Sequence, residues 1–140
     1  MNDRADLALM SGATGVHVGQ DDLAPAAARR LLGPDRYVGY STHTTAQVDA
    51  ASIEPVTYIA IGPVFGTRTK ATGYEPIGLA LVSEAARASR GHPVVAIGGL
   101  TLETAPAVIA AGASSVAVIA DLLATGDPAA RVRAFLGALA

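Results

Sequence analysis

Five apolar runs recur along the chain, starting near residues 16, 37, 58, 94 and 115, and three of the four intervals between them are 21 residues. A helical stretch follows each run, and the polar clusters fall just after the runs. These observations predict an α/β fold of repeated strand–helix units around a parallel sheet. The position of the polar clusters points to a (β/α)8 barrel, whose ligand site lies at the carboxyl ends of its strands. A complete barrel takes about 200 residues or more, so this chain is expected to be an N-terminally truncated TIM-barrel type with about five units, roughly three being absent from the front. No linker or low-complexity stretch divides it, and residues 1–140 are read as one partial-barrel domain. An open dinucleotide-binding sheet fits less well. It calls for Gly-x-Gly-x-x-Gly directly after the first strand, where this chain has Gly19-Gln20-Asp21-Asp22, carboxylates in place of amides.

Taken in order, Asp6 to Met10 reads as the end of a helix, with Gly12 where a left-handed turn favours glycine. The first strand is Gly15-Val16-His17-Val18. Pro25 starts a helix to about Leu32, stopped by Gly33-Pro34. Tyr37 to Ser41 is the second strand. Thr44 and Gln47 have the spacing of a capping box, in which each side chain satisfies the other's orphan amide, for a helix reaching about Ser52. The third strand, from Tyr58, turns at Gly62-Pro63. A helix then runs from about Leu79 to Ser89, with Leu79, Val82, Ala85 and Ala86 at helical spacing. The run Pro93-Val94-Val95-Ala96-Ile97 has the pattern of a strand buried on both faces, and Gly98-Gly99 follows it. Pro106 lies in the first turn of a helix ending at Gly112. Ser115 to Ile119 is the last strand, and Asp127-Pro128 opens a closing helix to about Leu139. The stretch Ser11 to Val18 echoes Ala111 to Val118, one helix-to-strand joint used twice.

The 51 % hydrophobic content with few aromatics implies an Ala/Val/Ile/Leu interior. A formal charge of −2 provides no basic field for nucleic acid, so any anion site is local. The absence of cysteine excludes disulfides, thiolate metal sites and a thiol nucleophile. The N-terminus has no signal-peptide core, and no run of about 18 apolar residues is free of Gly, Pro or charge. The expectation is a soluble, cytoplasmic protein that binds neither nucleic acid nor membrane. Thr67, Arg68, Thr69 and Lys70 lie on a glycine-flanked loop suited to gripping anionic oxygens, although a solvated loop has the same composition. Gly98-Gly99 lets backbone amides approach a ligand, or simply makes a turn. Asp3, Asp21 and Asp22 are hard oxygen donors that could share one Mg²⁺, or solvated loop acids. His17, inside a strand, reads as a packed, hydrogen-bonded histidine rather than a catalyst unless it points into a ligand cavity; His43, on a loop, has a similar reading, and His92 has no polar neighbours to suggest a role.

The blocks Asn2-Asp3-Arg4, Gly15-Val16-His17-Val18-Gly19-Gln20-Asp21-Asp22-Leu23, Gly39 to Thr44, Gly62 to Lys70 and Ala96 to Leu100 occur in the order and spacing of the thiamine phosphate synthase (thiamine-phosphate pyrophosphorylase) family. The chain resembles that family from the end of its third strand onward. The resemblance implies a transferase of thiamine biosynthesis that joins hydroxymethylpyrimidine diphosphate to hydroxyethylthiazole phosphate, releasing pyrophosphate. It implies that Asp3 and Asp22 hold Mg²⁺ on the diphosphate. It further implies that Asn2, Ser41 and Lys70 contact the pyrimidine substrate or its diphosphate, with Ser41 and Lys70 the catalytic pair. Thr67, Thr69 and the amides of Gly99, Ile119 and Ala120 match the thiazole phosphate site.

Three features depart from the family pattern. Its Gln-x-Arg-x-Lys segment has no counterpart here, Ala120 stands where serine is usual, and Gly66 where proline is common. Two further readings stay open: a related thiazole tautomerase, against which Asp3 and Asp22 argue, and a non-catalytic phosphate-binding partial barrel. An open barrel leaves the strand at Val16 as an unpaired apolar edge, which predicts self-association as a homo-oligomer, strands supplied from elsewhere, or poor solubility.

Overall fold

A computed structural model describes residues 1–67 and 73–140. Its sheet has five parallel strands in sequence order: β1 (Gly15–Val18), β2 (Tyr37–Thr42), β3 (Tyr58–Ile61), β4 (Val94–Ile97) and β5 (Ser115–Ala117). Helices α1 (Ala5–Met10), α2 (Pro25–Leu32), α3 (Thr45–Ala51), α4 (Gly78–Ala88) and α5 (Ala105–Ala110) alternate with them. After β5 come α6 (Ala120–Leu123), a short turn of helix that the sequence did not announce, and α7 (Pro128–Leu139). The predicted strand starts agree with these to within a residue, because β-branched runs between Gly and Pro punctuation leave little freedom in where a strand begins.

The core lies between the sheet and its helices. Val16, Val38, Ile59, Ile61, Val94 and Ala96 face that layer and are almost fully buried, against small helical residues such as Ala8, Ala28, Ala51 and Ala85. Alanine at those helix positions allows close approach to the sheet. The other face of the sheet is more open. β1 alternates partly buried and buried residues, and in β4 Val95 is partly buried while Ile97 is 36 % exposed. The reading of β4 as buried on both faces is therefore corrected. Its apolar run is continuous, but among the described residues its second face is only partly covered.

The β1 edge also differs from expectation. His17 donates its amide to Met1 O at 2.9 Å, and Asp3 N donates to His17 O at 2.8 Å, so a short parallel bridge at Asn2 covers part of it. The edge without a partner strand among the described residues is β5. Local signals at helix ends are met with one adjustment. Thr44 caps α3 by accepting from Gln47 N, but the Gln47 side chain reaches one residue further back and accepts from His43 N at 2.7 Å. Asp127 caps α7 by accepting from Ala130 N at 2.9 Å.

Candidate active site

Parallel pairing sets His17 opposite Gly39 and Gly39 opposite Tyr58, so the three form one row across β1, β2 and β3 on a common face. The middle position has to be glycine. A Cβ there would lie 2.1 Å from Tyr58 Cζ. The Tyr58 ring covers Gly39 and reaches the His17 imidazole, the two rings stacking at 5.6 Å between centroids. Tyr58 Oη lies 2.9 Å from His17 Nδ1, and His17 Nε2 lies 2.7 Å from Ser41 Oγ. Ser41 follows Gly39 by two residues, so it shares their face one step nearer the carboxyl ends of the strands. Burial pushes the Tyr58 phenol up, which keeps it protonated.

The loop after β1 closes on the same place. Gln20 donates from Nε2 to Ser41 O at 2.6 Å, and Asp22 Oδ2 accepts from Gly19 N at 2.7 Å, leaving its second oxygen for another ligand. Asp3 sits at the end of the Asn2 bridge with φ +61°, a left-handed conformation that aspartate tolerates better than most residues. Two hard carboxylates on adjacent strand ends fit an ion such as Mg²⁺, which takes its remaining positions from water and substrate phosphate. Among the described residues no group of three or more His, Cys, Asp or Glu gathers to hold a metal unaided.

The loops after β3 and β4 are bound to each other. Val64 N donates to Ile97 O at 2.9 Å and Phe65 N to Gly98 O at 3.0 Å. A Cβ on Gly99 would lie 2.5 Å from Gly66 O, so this glycine is required by the neighbouring loop whether or not a ligand approaches. Thr67 is partly buried at the start of the anion-loop candidate, whereas Arg68, Thr69 and Lys70 lie outside the described residues. Ile119 is half-exposed and precedes α6, whose first residue is Ala120. His43 is a bridge between loops: Nδ1 lies 2.5 Å from Gly62 O, and the ring stacks on Tyr74 at 3.7 Å.

The described candidates Asn2, Asp3, Asp22, Ser41, Thr67, Gly99, Ile119 and Ala120 thus all lie at or near the carboxyl ends of the strands. Sequence reasoning placed Gln20 in the polar cluster after the first strand without a role, passed over Tyr58, and read His17 as a packed, hydrogen-bonded histidine unless it faces a ligand cavity; the structure bonds it to Tyr58 and Ser41. The signal for Tyr58 was the glycine at 39, but its meaning depends on strand register.

A family model described as thiamine monophosphate synthase matches residues 1–122. A thiamine-phosphate synthase of Koribacter versatilis is 51 % identical over 136 residues, which are 97 % of this chain and 63 % of that protein. One from Anaeromyxobacter dehalogenans is 50 % identical, covering 96 % of this chain and 61 % of its own. Among solved structures, the thiamine phosphate pyrophosphorylase from Pyrococcus furiosus superimposes with a TM-score of 0.87 at 28 % identity, over 99 % of this chain and 65 % of that one. The chain therefore spans a little under two thirds of the length of these relatives.

Proposed function

Because the chain belongs to the thiamine monophosphate synthase family, we propose that it forms the synthase site of thiamine biosynthesis. The reaction condenses hydroxymethylpyrimidine diphosphate with hydroxyethylthiazole phosphate to thiamine phosphate and pyrophosphate. The observation that carries this reading is that Asp22, Ser41, Thr67, Gly99 and Ala120 lie at or just after the carboxyl ends of the five successive strands, with Ser41 held by His17 and Gln20.

In this reading Asn2 and Ser41 bind the pyrimidine substrate, and Asp3 and Asp22 would hold Mg²⁺ against its diphosphate. The ion, when bound, neutralises charge on the leaving group. Lys70 adds a point charge there, while Thr67, Thr69 and the amides of Gly99, Ile119 and Ala120 take the thiazole phosphate. The C–O bond to pyrophosphate breaks, leaving a pyrimidine methylene cation, and the thiazole nitrogen donates its pair to form the new C–N bond. Little proton transfer is required. The protein contributes alignment of the nucleophile and charge placed where pyrophosphate departs. The working compartment is the cytoplasm, and no helix among the described residues is long and apolar enough to cross a membrane.

The test is thiamine phosphate formation by the purified chain with both substrates, with and without Mg²⁺, beside Asp22→Ala. Turnover that needs Mg²⁺ and is lost in the variant is expected. A folded chain without turnover would restrict the synthase reading to a barrel completed by further strands.

A further inference from the structure

The hydrogen-bonded chain from Tyr58 through His17 to Ser41 can run in either of two directions. Either Tyr58 donates to His17 Nδ1 and His17 donates from Nε2 to Ser41, or the chain runs the other way and Ser41 donates to Nε2. The two directions differ at Ser41. In the first the serine oxygen accepts from the imidazole and its own hydrogen remains for a ligand at the rim. In the second that hydrogen is spent on the histidine.

Chemistry favours the first direction. A phenol is the stronger O–H donor of the two hydroxyls, since its anion is stabilised by the ring, and its oxygen is the weaker acceptor because a lone pair is delocalised into the same ring. Imidazole presents one acceptor and one donor nitrogen, so fixing one fixes the other. Geometry fixes it from the tyrosine side: Gly39 makes room for the ring, stacking on His17 aligns it, and Oη lies 2.9 Å from Nδ1. Ser41 is itself held, because Gln20 grips its carbonyl at 2.6 Å. Resting on the synthase reading above, we propose that Tyr58 is a positioning residue: by donating to Nδ1 it keeps His17 protonated at Nε2, so that the Ser41 hydroxyl hydrogen is kept for an oxygen of the diphosphate.

The test uses the full ¹⁵N-labelled chain, in which long-range ¹H–¹⁵N spectra report the protonation of each imidazole nitrogen of its three histidines. His17→Gln identifies the His17 signals by their loss. The parent chain is expected to carry the His17 proton on Nε2, and Tyr58→Phe, which keeps the ring over Gly39, shifts it toward Nδ1. Ser41→Ala leaves it on Nε2. A parent protonated at Nδ1, a tautomer unchanged in Tyr58→Phe, or one that moves in Ser41→Ala overturns the assignment, and the last of these does so even if Tyr58→Phe fails to fold.

Titration with inorganic pyrophosphate supplies the functional half. Tyr58→Phe and Ser41→Ala each weaken binding by about 3- to 10-fold, the worth of one hydrogen bond, and the double variant is no weaker than Ser41→Ala alone. Additive losses would mean that Tyr58 acts on structure at large and would overturn the proposal. Should the parent chain bind no pyrophosphate, the diphosphate destination fails together with the synthase reading, while the spectra still decide whether Tyr58 sets the tautomer.

Discussion

Gly39 illustrates how a single missing Cβ organises a site. It lets a tyrosine from one neighbouring strand reach a histidine on the other across a row only three residues wide. Gly39→Ala places a carbon 2.1 Å from the Tyr58 ring, and the ring cannot retreat without leaving His17. Overpacking of this kind typically costs about 1–3 kcal/mol. A fall in the urea midpoint at unchanged slope, together with loss of the His17–Tyr58 ring contact in NOE spectra, is the expected outcome. Unchanged stability with the ring contact intact would show that the row has slack that this packing does not suggest.

At the scale of elements, α6 and α7 are joined to the body of the molecule by a small polar knot. Arg131 of α7 forks onto Asp121 of α6, with Nε at 2.9 Å and a second nitrogen at 3.0 Å, and Asp121 also accepts from Leu102 N at 3.1 Å. The pair is mostly buried, at 17 % and 11 % side-chain exposure. The hydrogen bond from Arg131 holds the Asp121 carboxyl below its usual range, against the opposing effect of burial. A carboxyl depressed in the folded state stabilises the fold above its unfolded pKa of about 3.9, and that contribution is lost as pH falls through the lower folded value. Asp121→Asn is accordingly expected to cost about 1–3 kcal/mol near neutral pH. The difference from the parent should shrink in denaturant titrations below about pH 4; a gap that is constant across the acid range would mean the carboxylate charge is irrelevant.

Among the described residues the sheet is packed by helices on one face, and its other face is only partly covered. α7 buries only Phe135 of its twelve residues, and Leu136 is 68 % exposed. Between α7 and β5 runs an apolar groove of about 450 Å³, lined by Val116, Val118, Leu122, Val132 and Phe135 among others. Together with the β5 edge, which has no partner strand among the described residues, this surface favours association. Sedimentation is expected to show species heavier than the monomer, shifting with concentration. One sharp monomer boundary with a cooperative melt would show that the chain stands alone despite its open side. The chain spans 63 % of the Koribacter relative and 65 % of the Pyrococcus structure.

Legible without the fold were the alternation of five strands with the helices between them, the strand starts, and the caps at Thr44 and Asp127. These are local quantities, set by periodicity, punctuation and propensity within a few residues of each other. The sequence also displayed five motif blocks whose order pointed to a synthase. Register and closure were settled only in three dimensions. That His17, Gly39 and Tyr58 share a row depends on how three strands slide past one another, and a one-residue slip would turn each side chain to the opposite face. Whether Val95 and Ile97 are covered depends on what packs over the sheet, and an apolar run reads the same with or without a neighbour. The role of Gly99 was hidden for the same reason, because its demand for space comes from Gly66, a residue of another loop, brought 2.5 Å from the position of a would-be Cβ by the pairing of β3 with β4.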